Sequence, residues 1–448
     1  MTSRRRIGLL SMYVLGAAGL RSSEPPAGFA PLFNGKDLTG WRGGAAHDHR
    51  KLLEMTMAER TENIAGWTTE LTKTSEKTGR PHWRVEGAVL VNDGFATFAT
   101  TDRDYGDFEL LVDYKISPHA SSGICLRGVP QVQILDHTEA QSDGKGFARG
   151  SGGLGNNRAG SPGEVPLTFA DRPAGEWNQF RILLVGSRVS VWLNGKLVVN
   201  HAILENHYDR ELPREKQRPI PARGPIQLQP RGGETQWRNF FLREIGSNEA
   251  CDTLARHGDD GFQPIFNGKN LDGWAGDIKS VEVSDGILRW RVGERGTLYW
   301  NRELADFQSR IYFAVSPGGN NGLAIRYSGH GIPAYDGMCE IQLRDDYATP
   351  SDKDPRQADG SVYGMIAATR GYQHAVGEWN FQEVTVKGSR ITVELNGTII
   401  LDGDVNQVAP HTVVANRPHP GKDRTRGFFG FTGHSDPFQF KGISIKQW

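Results

Sequence analysis

The chain has 448 residues, 52 basic and 52 acidic side chains, and a formal net charge of zero. Balanced charge with no long run of either sign excludes a dedicated nucleic-acid surface, which needs a basic stripe to displace counterions, and a polybasic membrane patch. The length fits two or three domains, and three cysteines, Cys125, Cys251 and Cys339, form neither a disulfide framework nor a zinc spacing.

In chain order, residues 1–27 read as an export signal and tail. Arg4, Arg5 and Arg6 precede an apolar stretch from Ile7 to Leu20, and Gly16-Ala17-Ala18-Gly19 offers small residues for cleavage. The expected location is therefore periplasmic or extracellular, with an N-terminal membrane anchor as the alternative; Ser3-Arg4-Arg5 also suits twin-arginine export. From Gly28 the chain reads Gly-Phe-Ala-Pro-Leu-Phe-Asn-Gly-Lys-Asp-Leu-Thr-Gly-Trp41, and from Gly261 it reads Gly-Phe-Gln-Pro-Ile-Phe-Asn-Gly-Lys-Asn-Leu-Asp-Gly-Trp274, with ten of fourteen positions identical. Such a match marks a tandem duplication, with repeat 1 at 28–245, a linker at 246–260 that lacks strand alternation, and repeat 2 at 261–448.

Repeat 1 alone carries an insert at about 42–82. Thr56 and Glu59 fit a capping box, and Met57, Ile64, Trp67 and Leu71 fall on one helical face. The insert is either a decoration packed on the fold or a wall over a cleft or over the other repeat. Beyond it the pattern is that of strands. Arg181 to Val185, Arg188 to Leu193 and Lys196 to Val199 alternate around Gly186-Ser187 and Asn194-Gly195, and repeat 2 does the same from Glu383 through Leu401. Many short antiparallel strands per repeat predict an all-β fold of two-sheet sandwiches or jelly rolls. Trp177 and Trp379, in the paired Gly-Glu-Trp-Asn motifs, are expected in the cores, and Asn34-Gly35 and Asn267-Gly268 are turns.

The paired motifs extend further: Tyr105-Gly106-Asp107-Phe108, Ser122 to Arg127, Val132 to Asp136, Gly175 to Asn178 and Trp237 to Phe240 in repeat 1, with Asp306-Phe307, Gly322 to Arg326, Glu340 to Asp345, Val362-Tyr363-Gly364, Gly377 to Asn380 and Gly433-His434 in repeat 2. In content and order they resemble the DUF1080 family, described as 3-keto-disaccharide hydrolases or 3-keto-glucoside 1,2-lyases with 3-keto-2-hydroxyglucal hydratase activity. The resemblance implies two concanavalin A-like sandwiches, each of the lectin and glucanase type. It further implies a glycoside, a 3-keto disaccharide or glucoside, whose C3 hydroxyl has already been oxidised.

A C3 ketone acidifies the C2 proton, so a base at C2 permits β-elimination of the C1 substituent, and water can then add back. Such a site needs a base, and it needs positive charge, donors or a divalent metal at the enolate oxygen. Candidate residues lie around the Gln-x-x-Asp motifs. Gln131 and Gln133 share a strand face in repeat 1, as Glu340 and Gln342 do in repeat 2. Arg127 and Arg326 end the preceding strands, and Asp136 and Asp345 stand where each strand runs out, as base, metal ligand or loop cap. Repeat 2 adds Tyr363 and His434 where repeat 1 offers Leu154 and Gln229-Pro230-Arg231, while Asn157 closes a glycine-rich run without the lysine of a phosphate loop. Repeat 1 has Gln131 where repeat 2 has Glu340, and an amide cannot act as a general base. Repeat 1, however, keeps the longer family-like run, including Gly150 to Asn157, so either repeat can be the catalytic one, with charge favouring repeat 2 for the base. The alternatives are a non-catalytic glycan-binding tandem and a pair in which one repeat catalyses and the other binds.

Overall fold

The computed structural model describes residues 24–136, 150–213, 216–258, 261–348, 354–409 and 417–448; residues 1–23 of the stretch 1–27 expected to be an export signal and tail lie outside them. Each repeat is a sandwich of an eight-stranded and a five-stranded antiparallel sheet. In repeat 1 the smaller sheet runs Trp41–Gly44, Phe98–Thr101, Gln227–Leu228, Ser121–Leu126, Val129–Leu135, and in repeat 2 it runs Trp274–Gly276, Arg295–Leu304, Gly427–His434, Asn320–Tyr327, Cys339–Arg344. This shared order is the duplication seen in three dimensions.

Alternation explains each core. In the strand Asn178–Val185, Phe180, Ile182 and Leu184 are fully buried while Gln179 and Arg181 face solvent. The duplicated opening motifs are framework: Asn34 Oδ1 accepts from the Lys36 and Asp37 amides, and the Trp41 and Trp274 indoles donate to the Leu32 and Ile265 carbonyls at 3.0 and 3.1 Å. Trp177 and Trp379 are not in the sandwich cores. Strand parity sends Asn178 and Asn380 inward instead, and each Trp lies on the outer face beneath a cation, Arg238 at 4.0 Å and Lys441 at 4.1 Å from the ring centroids.

The insert forms helices His49–Glu54 and Met57–Leu71, the second opened by the full Thr56/Glu59 capping box. Leu71 is fully buried, but Met57 is 83% exposed and is not on the packed face. The longer helix lies along the edge strand Trp41–Gly44, where a Cβ on Gly43 would fall 2.1 Å from the Trp67 carbonyl.

The segment expected as a linker carries a helix, Ser247–Ala255, wedged between the repeats. Its Ala250, Cys251 and Leu254 pack with Val185 and Ile245 of repeat 1 and Phe381 of repeat 2. All three cysteines are buried, and burial pushes the Cys125 and Cys251 thiols up to about 12, which keeps them unreactive. Beside this helix two glycine turns meet. Gly186, at φ +57°, would place a Cβ 2.0 Å from the Asn396 carbonyl oxygen, and Arg188 pairs with Glu394 across the same contact.

Two stability predictions follow from these contacts. Gly186→Ala meets backbone rather than a movable side chain, so it is expected to cost about 2 kcal/mol or more and to lower the thermal midpoint by at least about 4 °C; an unchanged midpoint would show that the turns are not in contact. The second concerns Asp359, 3% exposed, whose Oδ2 has no hydrogen-bond partner. Burial and the nearby Asp346 carboxylate hold its carboxyl well above the usual range. A raised acid stabilises the fold fully below its unfolded pKa and loses that contribution as pH rises through the folded one. Asp359→Asn should therefore raise the midpoint at pH 8 and leave it nearly unchanged at pH 4, as read by thermal unfolding at both values.

Candidate active site

The outward faces of the two five-stranded sheets can be compared row by row. In repeat 2, Tyr299 pairs with Gly430, Gly430 with Ala324, and Ala324 with Glu340. A bridge between Ile341 and Val362 adds a short sixth strand, which sets Tyr363 opposite Glu340; the Tyr363 amide donates to the Glu340 carbonyl at 2.9 Å. Two small residues thus floor a trough between Tyr299 and the Glu340–Tyr363 pair. In repeat 1 the corresponding row reads Thr100, Gln227, Cys125, Gln131, with Gly155 at the sixth strand.

Residue 322 decides where the Glu340 carboxylate goes. A Cβ there would lie 2.1 Å from Glu340 Oε1, so only glycine lets the side chain lean across the neighbouring strand. From that position Oε1 lies 3.7 Å from His434 Nε2, and the Glu340 side chain is 4% exposed while His434 is 40% exposed. The pair is therefore buried at the acid and open at the imidazole. Pairing with Glu340 holds the His434 imidazole above the ordinary histidine range, against the opposing pulls of partial burial and Arg295, its cross-strand neighbour. Thr432, alongside Gly322, has a buried hydroxyl with no hydrogen-bond partner.

The remaining expected site residues fall elsewhere. Gln342 lies on the face and donates to Asn320 Oδ1 at 2.5 Å. Arg127 and Arg326 are buried at the ends of the sandwiches. Arg127 binds Asp107 at 2.6 Å and the Gly106 and Pro221 carbonyls; Arg326 binds Asp306 at 2.9 Å and the Ala305, Gly388 and Arg424 carbonyls. Asp136 and Asp345 take amide hydrogen bonds from His119 and Gly318, which is the loop-cap geometry, and neither joins Glu340. Asn157 ties its loop to the Ile203 carbonyl and the Glu205 amide, and Gln133 pairs with the Gly152–Gly153 backbone. The ladder also corrects the register of the repeats: Leu154, a core residue, answers to Val362, and Gly155 answers to Tyr363. Arg295 was not anticipated, although its place opposite His434 was readable once the strands were paired.

In repeat 1 the insert packs over part of the same face. Gln131 and Gln227 are 2% and 5% exposed, and Gln131 Oε1 and Gln229 Oε1 have no hydrogen-bond partners. The insert's His47, His49, Leu52 and Trp67 sit with Arg42, Gly44 and Gln227 around a void of about 10 Å³, room for one water at most. The turn His207–Asp209 packs on the strand Val129–Leu135. Two clefts of about 330 Å³ lie between the repeats, and neither is lined by Glu340 or His434. Among the described residues no three His, Cys, Asp or Glu side chains gather as metal ligands, and no step below is routed through a metal.

The sequence profile of the 3-keto-alpha-glucoside-1,2-lyase-like domain matches residues 28–243 and again 261–446. The chain belongs to this family. It is 24% identical to a 3-keto-disaccharide hydrolase of Bacteroides thetaiotaomicron, over 42% of this chain and 78% of that one. Among solved structures it is similar to a candidate glycosyl hydrolase from Parabacteroides distasonis (23% identity, 42% of this chain and 95% of the other, TM-score 0.36) and to the carbohydrate-binding module CBM66 from Bacillus subtilis (10% identity, 39% and 96%, TM-score 0.26).

The pairing on this face has a spectroscopic consequence. In an NMR titration, His434 should titrate above about 6.5, the ordinary histidine value, and Glu340→Gln should bring it down, since burial and Arg295 are then opposed only by the weaker pull of Asp436. A raised histidine contributes stability below its unfolded pKa and loses it as pH rises through the folded value, so the same substitution should cost more stability at pH 5 than at pH 8. An unmoved His434 titration would show that the two side chains do not interact.

Proposed function

We propose that repeat 2 is a lyase and hydratase of 3-keto-glycosides, with net hydrolysis as the outcome, in an exported protein. The observation that carries this reading is the Glu340–His434 pair, with its imidazole 40% exposed, on a face whose counterpart in repeat 1 has the neutral Gln131 in place of the carboxylate. Family membership supports the substrate class, and the B. thetaiotaomicron relative bears the name 3-keto-disaccharide hydrolase.

The chemistry runs as two half-reactions over one face. Glu340 takes the C2 proton, the C–H electrons form the C1–C2 double bond, and the C1–O bond breaks. His434, whose pairing with Glu340 favours the protonated form, gives its proton to the departing oxygen. Water then adds at C1 and loses a proton to His434, while C2 recovers the proton held by Glu340. Both groups return to their starting states. Ordinary glycosidases instead place two carboxylates about the scissile bond, and the C3 ketone makes the second acid unnecessary.

The test is turnover of a 3-keto-glucoside by the full-length protein. Glu340→Gln is expected to lower kcat by about 10³-fold, within the usual range for removing a general base, whereas Asp136→Asn should stay within about 2-fold, as befits a loop cap outside the face. Retained activity in the Glu340→Gln variant would overturn the assignment. Turnover abolished by Asp136→Asn instead would move the site to repeat 1.

A further inference from the structure

The reaction leaves one atom to be accounted for: the C3 oxygen, which gathers negative charge as the C2 proton departs. We infer that the Tyr363 hydroxyl donates the hydrogen bond that holds this charge, and that the sugar lies in one direction across the sheet, its ketone toward Tyr363 and its leaving group toward His434 and Arg295. This rests on the lyase reading of the Glu340 face and deepens it by assigning the oxyanion donor and the orientation of the substrate.

Three observations carry the inference. Tyr363 is the direct cross-strand neighbour of Glu340 through the Ile341–Val362 bridge, so the two side chains rise from the same face with Cβ atoms about 5 Å apart. His434 stands on the opposite side of the Glu340 strand, beyond the strand that carries Gly322. Finally, Gln357 Nε2 donates to the Tyr363 hydroxyl oxygen at 3.4 Å. An amide nitrogen can only donate, so the phenol accepts there, and its own proton is left to point at a ligand.

Chemistry then orders the substrate. C2 has two neighbours: C1, whose oxygen must receive a whole proton to leave, and C3, whose oxygen needs only a donor. An imidazolium can surrender its proton near neutral pH. The phenol cannot, because burial and the nearby Tyr335 and Glu340 push it above its ordinary value, with the Gln357 hydrogen bond and Arg417 opposing. Tyr363 is therefore suited to hold charge and His434 to transfer a proton. With C2 over Glu340, the leaving group extends toward Arg295, which lies opposite His434 in the ladder. Repeat 1 has Gly155 at the position of Tyr363 and can offer no such donor.

The experiment uses the full chain and a 3-keto-glucoside carrying either hydrogen or deuterium at C2. Tyr363→Phe removes only the hydroxyl, and kcat is expected to fall by about 10²- to 10³-fold, the usual loss of one oxyanion donor. The primary isotope effect on kcat should grow, because proton removal becomes more fully rate-limiting. Gln357→Leu, which keeps the phenol but not its orientation, should give a smaller loss of the same kind. If Tyr363→Phe stays within about 3-fold of wild type, against the 10²-fold expected of an oxyanion donor, while Glu340→Gln is inactive, the donor assignment falls and the base stands. If kcat drops without a larger isotope effect, Tyr363 serves packing or binding, and the inference is overturned. Retained activity in Glu340→Gln would instead overturn the base, whichever way the tyrosine variant behaves. Loss of turnover confined to Arg417→Gln would transfer the oxyanion role to that guanidinium.

Discussion

The candidate site depends on an atom that residue 322 lacks. The Glu340 carboxylate occupies the space a Cβ would take, at 2.1 Å from one oxygen and 2.5 Å from Cδ. Lying there, it leaves its own strand and reaches His434 two strands away, which upright side chains on a flat sheet could not do at a strand spacing of about 4.8 Å. Repeat 1 keeps the same cradle: a Cβ on Gly123 would meet Gln131 Cδ at 2.4 Å. The backbone device is thus common to both copies, and only the group laid in it differs.

What surrounds that group differs as well, in a concerted way. Repeat 2 floors its trough with Gly430 and Ala324, while repeat 1 has Gln227 and Cys125 at those positions, with Gln227 donating to Thr100 at 3.0 Å. The helical insert then covers the row. Leaving the Gln131 and Gln229 carbonyl oxygens buried without partners costs about 1–3 kcal/mol each. Leu52 and Leu71, both buried by the insert, supply apolar burial of comparable size, roughly 1.5–3 kcal/mol per side chain. The insert is therefore a cover for repeat 1's own face, rather than a wall of a shared cleft.

The sequence made the duplication, the strand pattern, the capping box and the Glu340/Gln131 contrast legible, because each is written in local periodicity or in direct self-comparison. Arg127 and Arg326 were misplaced for a definite reason. Both residues take left-handed backbone conformations, with φ of +52° and +47°, Arg127 just after its strand and Arg326 one residue before the end of its own. That breaks the period-2 alternation from which a face is inferred, and it turns each guanidinium along the end of the sandwich to an aspartate, Asp107 or Asp306, on the other sheet's side. Tyr363 was aligned one residue out of register because its segment pairs through a single bridge and shows no alternation of its own. Met57 followed helical spacing correctly, yet it sits at the first turn, beyond the reach of the edge strand its helix packs on.

On the proposed chemistry, a single working face is enough. Elimination leaves Glu340 protonated and His434 neutral, and hydration needs those two states, so the first half-reaction sets up the second. A second active copy would add capacity but no new step. The repeats are nonetheless bound closely, through the helix Ser247–Ala255 and through turns that exclude even a methyl group at Gly186. Repeat 2's strand Trp379–Lys387 lies in that contact through Phe381, and this strand pairs with Phe307–Val315, which begins beside Asp306, the partner of Arg326. The buried arginine in turn closes the end of the strand that carries Gly322. Repeat 1 is thereby joined, through packed and ion-paired groups, to the backbone that positions the Glu340 carboxylate.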